Sequence, residues 1–98
     1  MQQNSVRHIQ SGAELQRIRR RQGIPLRTVA STTRIRLAYL RHLEADNFAE
    51  LPPLVFVLGY LEHYARCLGL DPAPITRAFR ERFAAWQEAH EIGMRLAG

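Results

Sequence analysis

No lysine occurs anywhere in this chain, so all fourteen basic side chains are arginine. Its cationic surface therefore consists of guanidinium forks, which suit bidentate phosphate and carboxylate contacts. A coding bias toward arginine accounts for the choice equally well. Cysteine is nearly as scarce: Cys67 stands alone and has no partner for an intrachain disulfide, so a reduced, cytoplasmic setting is the expectation. Long apolar runs are missing too. The longest stretch without a charge, Leu51 to Leu61, is far short of the ~20 residues a bilayer span requires. The opening Met1-Gln-Gln-Asn-Ser-Val-Arg7 lacks the apolar region of a secretory leader. Clusters of metal ligands are absent as well. His8, His42, His63 and His90 are scattered without an i, i+4 pair, and Cys67 has no second ligand, so no zinc site is expected. Glu62 and His63 are neighbours, about 100° apart around a helix, a poor geometry for a catalytic dyad. Cys67, near the end of an apolar helix, reads as a small core residue rather than a nucleophile. No catalytic, cofactor or metal site is expected, and the chain is not read as an enzyme.

What is present is apolar content of 46%, enough for one globular domain with a single core. The net charge of +5 is uneven. Residues 1–48 hold nine arginines against Glu14, Glu44 and Asp46, a net of +6, while residues 49–98 hold five against six acids, a net of −1. The excess lies on the half that carries the motif described next, as for a surface facing phosphates or an acidic protein.

The pattern is helical throughout, and the fold class expected is all-α: a compact five-helix, repressor-like domain. Residues 1–10 are polar and aperiodic, and a flexible tail is expected there. The domain proper is placed at 11–90, with helices at about 12–22, 26–32, 36–45, 54–68 and 72–90. Ser11-Gly-Ala-Glu14 is a capping box, Leu15 and Ile18 face inward, and Gly23 is a left-handed stop. Arg17, Arg19, Arg20 and Arg21 crowd the negative end of that helix. Pro25 is assigned to the first turn of the second helix. Leu26, Val29 and Ala30 recur at i, i+3, i+4, Ser31-Thr-Thr-Arg34 reads as a polar turn, and Ile35, Tyr39, Leu40 and Leu43 mark an inner face. Two short helices joined this way form a helix-turn-helix. Phe48 and Leu51 pin the following loop, and Gly69 stops the fourth helix. Asp71 caps the fifth helix at Ala73, and Ile75, Phe79, Phe83 and Trp86 form its stripe. Gly93 weakens that helix, so residues 91–98 are expected to fray as a tail or truncated linker. The Phe79/Phe83/Trp86 stripe is expected to close the core over the first and fourth helices. Its tail could support self-association.

Two surfaces compete for function. On the third helix the outward residues are Arg36, Leu37, Ala38, Arg41 and His42. Arginine reads guanine and alanine touches a thymine methyl, while Arg27 and Arg34 reach phosphates. This helix has no Asn or Gln for adenine, so DNA affinity there would be mainly nonspecific. The fourth helix carries more apolar surface than one packing face needs. Phe56 and Tyr60 share a face, while Val57, Leu61, Tyr64, Ala65 and Leu68 line another. The residues alone leave both fates open for that pair, packing beneath the fifth helix or anchoring a partner. Gly59 between them either admits a partner's close approach or relieves crowding.

The run Leu15-x3-Arg19-x3-Gly23-x2-Leu26-x2-Val29-Ala30-x2-Thr33-x-Ile35-Arg36-x2-Tyr39-Leu40-x2-Leu43-Glu44-x3-Phe48-x2-Leu51-Pro52 resembles the cytoplasmic helix-turn-helix domain of the RodZ family. The likeness continues through Val55-Phe56-Val57-x-Gly59-Tyr60-Leu61-x2-Tyr64-Ala65-x2-Leu68-Gly69-Leu70-Asp71, and this second half is the more specific. The resemblance implies a cell-shape adaptor in cell-wall elongation that binds the bacterial actin homologue MreB rather than DNA. It places the contact on aromatic residues early in the fourth helix, here Phe56 and Tyr60. Leu58 stands where such domains often carry a basic residue and makes the exposed face more apolar. RodZ proteins continue through a linker to a membrane span, whereas this sequence stops at Gly98. The expectation is an excised domain, membrane-tethered if the native chain continues, or a soluble relative. The alternative function is a DNA-binding regulator using the third helix through Arg27, Arg34, Arg36 and Arg41.

Overall fold

The computed structural model describes residues 11–97, with side chains as far as Gly93; the tail expected over residues 1–10 lies outside the described residues. The described residues form five α-helices and one short 3-10 turn: α1 Gly12–Arg21, α2 Leu26–Thr33, α3 Leu37–Glu44, the turn Phe48–Glu50, α4 Leu54–Cys67 and α5 Pro72–Ala97. The fold is the all-α, five-helix domain expected.

α1 begins at the capping box read from the sequence. The Ser11 hydroxyl accepts from the Glu14 amide, and the Glu14 carboxylate accepts from the Ser11 amide at 3.1 Å. Its first residue, Gly12, is buried against the end of α3. A Cβ there would overlap the Leu43 carbonyl oxygen and come within 2.7 Å of the Glu44 backbone, so only glycine lets these helix ends meet. The Gly12 amide donates to Asp46 Oδ1 at 2.9 Å, and Arg82 of α5 holds the same oxygen at 3.0 Å. One carboxylate thus ties the start of α1 to α5. Gly23 and Gly69, at φ 72° and 77°, close α1 and α4 as expected.

Pro25 stands one residue before its helix, in extended conformation, rather than in the first turn, and Pro53 immediately precedes α4, whose start at Leu54 is the one expected. At α5, Pro72 is the first helical residue, and the Asp71 carboxylate caps the Ala73 amide at 3.1 Å. The turn between α2 and α3 is displaced from its expected place. Ser31, Thr32 and Thr33 remain helical, and Thr33 Oγ1 donates back to the Val29 carbonyl at 2.7 Å. The reversal falls at Arg34, which is left-handed at φ 61°, and its amide closes on the Ala30 carbonyl at 2.8 Å.

The core lies where the five helices converge. Leu15, Val29, Leu40, Leu43, Val57, Leu61, Tyr64, Ile75 and Phe79 are all shut away from solvent. α4 and α5 form the most extensive helix pair. Phe83 closes one end of this contact, with Phe48 tilted against it at 5.5 Å and Trp86 edge-on at 5.6 Å. α5 runs on to Ala97, past the boundary of about 90 expected from Gly93. A single glycine weakens a helix without breaking it when good helix formers such as Arg95 and Leu96 flank it.

Candidate partner-binding surface

α4 starts without a side-chain cap, and the Phe56 and Val57 amides turn back onto the Pro53 carbonyl at 2.9 and 3.3 Å. Pro53 therefore sets the rotational phase of the helix. Val57, Leu61, Tyr64, Ala65 and Leu68 face the core, as their spacing requires. The opposite face begins with two apolar side chains in solvent: Val55 is 71% exposed and Phe56 55%. Exposed residues of this size and adjacency are the kind of surface that marks an interaction site.

Tyr60, one turn after Phe56, is half-buried. It packs against the core cluster. It stacks on Tyr39 of α3, with centroids 5.8 Å apart and planes 22° from parallel. Tyr39 was assigned to the inner face of α3. It is half-buried there and packs against the core cluster, with its ring also stacked on Tyr60. Leu58, also half-buried, points away from Phe56 around the helix. α4 thus presents Val55 and Phe56 in the open, with Tyr60 braced from α3. Sequence reasoning named Phe56 and Tyr60 but missed Val55 and Tyr39. The signal for Val55 is that it lies two residues before Val57, about 200° away on the helix.

The second surface is cationic. Arg27, Arg34, Arg36 and Arg41 are all exposed, along with Ala38. Leu37 and His42, expected to face outward, are half-buried; His42 Nδ1 lies 3.2 Å from the Asn47 amide nitrogen. Arg41 and Arg20 flank a cleft of about 450 Å³ between α1 and α3, floored by Arg19 and Glu44.

Arg19 departs most from expectation. It was counted among the cations at the end of α1, yet only 6% of it is exposed. Its position, i+4 from Leu15, places it on the buried face. Its Nε and Nη2 donate to the two Glu44 oxygens at 2.7 and 3.1 Å, and Nη1 donates to the Ile24 carbonyl at 2.9 Å. Gln16 Nε2 and the Tyr64 hydroxyl also donate to Glu44. The hydrogen bond to Glu44 holds the Arg19 pKa above its ordinary value, outweighing the opposing effect of burial. Burial first, and then the Glu44 carboxylate, raise the Tyr64 phenol above its usual value near 10. This network joins α1, α3 and α4.

Among the described residues no helix is long and apolar enough to cross a membrane, and no three His, Cys, Asp or Glu side chains gather as a metal site would require. A family described as a helix-turn-helix domain matches residues 14–75, most of the chain, and the chain belongs to that family. No curated protein and no solved structure matches it significantly.

Proposed function

We propose that this helix-turn-helix domain is a non-enzymatic, RodZ-like adaptor on the cytoplasmic side, docking on filaments of the bacterial actin homologue MreB through the opening of α4. The observation that carries the reading is the solvent-facing pair Val55 and Phe56, with Tyr60 propped beside them on Tyr39. Aromatic anchors of this kind supply much of the energy at protein interfaces. Leu58, turned away from Phe56, adds nothing to this patch, and Arg34 and Arg36, at the entry to α3, offer bidentate partners to acidic patches on a filament.

Co-sedimentation with polymerised MreB tests the reading. The double variant Phe56→Ala, Tyr60→Ala is expected to lose pelleting by tenfold or more while keeping its helical circular dichroism, since neither ring is among the fully buried side chains. Normal pelleting of that variant would overturn the proposed site.

The exposed Arg27, Arg34, Arg36 and Arg41 favour a second reading, a DNA-binding regulator that lays α3 in the major groove. Tight, sequence-selective binding at physiological salt, lost in Arg36→Ala, would replace the adaptor reading.

A further inference from the structure

Gly59 occupies the middle of α4, at the centre of its exposed face and opposite Val57, Leu61 and Tyr64. Glycine is among the worst formers of a helix interior, so its presence calls for a cause. The fold offers none. A Cβ built on Gly59 meets nothing within 4 Å, and its φ does not lie in the left-handed region. Crowding against a neighbouring helix is therefore not the reason. The residues three and four positions away, which surround it on the helix surface, are Val55, Phe56, Glu62 and His63, and all four are exposed. Together they frame a shallow notch whose floor is bare backbone. One side of the rim is apolar, and the other carries the Glu62 carboxylate beside the His63 imidazole. No ion pair engages Glu62 among the described residues, although Arg66 lies one turn further on.

We infer that Gly59 is the specificity-determining position of the α4 surface. It receives an arginine or lysine side chain of the partner, which lies across the bare backbone. The aliphatic stem of such a residue rests on Val55 and Phe56, and its cationic head reaches Glu62. The Phe56 face adds attraction for the same cation. Any Cβ at position 59 would lift this side chain off the helix. The inference rests on the adaptor reading and takes the filament as the partner.

The test uses polymerised MreB and reads pelleting and melting temperature together. Gly59→Ala and Gly59→Leu should melt at or above the wild-type temperature, because both replace a poor helix former in open space. Pelleting affinity should nevertheless fall about tenfold for alanine and be lost for leucine. Glu62→Gln should weaken pelleting several-fold and reduce its salt dependence. If Gly59→Leu pellets like wild type while Phe56→Ala, Tyr60→Ala does not, the notch is wrong and the docking surface stands. Wild-type pelleting and salt dependence for Glu62→Gln would remove the basic side chain. Normal pelleting of the double aromatic variant would overturn the adaptor reading and this inference together.

Discussion

Glu44 is where the interior polar bonding converges, accepting hydrogen bonds from Gln16, Arg19 and Tyr64. Its replacement by alanine would leave the Arg19 guanidinium buried opposite a void. Breaking a buried pair from one side costs about 3–5 kcal/mol, a large share of a small domain's stability. Urea unfolding of Glu44→Ala should show a loss of that size, and a loss below ~1 kcal/mol would mean the pair is solvated. Tyr64 makes the same network sensitive to alkali. Its folded pKa lies above the unfolded value near 10, so the folded state keeps a proton that the unfolded chain loses. The contribution is intact below about pH 10 and declines above it, by up to ~1.4 kcal/mol per pH unit. Tyr64→Phe should flatten the fall in unfolding free energy between pH 10 and 11 by ~1 kcal/mol, because the unfolded phenol is already half-ionised at the lower limit. Equal slopes for variant and wild type would show that the phenol ionises freely in the fold.

At the scale of elements, the turn between α2 and α3 carries the clearest local strain, since Arg34 holds a left-handed conformation that costs most L-residues ~1–2 kcal/mol. Glycine would remove that cost, offset in part by its greater entropy when unfolded. Arg34→Gly should therefore raise the unfolding free energy by a few tenths to ~1 kcal/mol in denaturant melts while removing one cation from the basic face. A net destabilisation would show that the arginine side chain packs usefully. This turn also marks the limit of what local pattern reveals. The inner faces of α3 and α4 were legible because one helical period sorts Leu40 and Leu43, and Val57, Leu61, Tyr64, Ala65 and Leu68, onto the core side, while Ile35 is buried from the turn before α3. Capping chemistry was legible at Ser11, Gly23, Gly69 and Asp71 for the same reason: each acts within four residues. Ser31-Thr-Thr misled because threonine's turn preference yields to the bond from Thr33 to the Val29 carbonyl. Arg19 and Glu44 lie 25 residues apart, and Tyr39 and Tyr60 meet across two helices, so neither contact leaves a periodic trace. Of the candidate surface, Phe56 was named through the family resemblance, since the helical spacing alone left it free to pack or to face solvent. The brace on Tyr60 was not.

In the whole molecule the two candidate surfaces differ in character and have only Arg34 and Arg36 in common. The arginines sit on α2, the turn and the exposed face of α3, while the aromatic surface opens α4, and the Tyr39–Tyr60 stack is the seam between them. Electrostatic attraction to a polyanion follows from the arginine surface alone, because residues 1–48 carry the whole positive excess. α3 lacks the amide side chains that grip adenine, so this attraction should show little sequence preference. In a salt titration with duplex DNA, each phosphate contact contributes about −0.9 to the slope of log affinity against log salt. The variant Arg36→Gln, Arg41→Gln should lower affinity uniformly across sequences and make that slope shallower by up to ~2. Phe56→Ala, Tyr60→Ala should leave both quantities unchanged. If the aromatic variant instead flattens the slope, the two faces act as a single nucleic-acid surface. The seam would then orient one binding site rather than divide two.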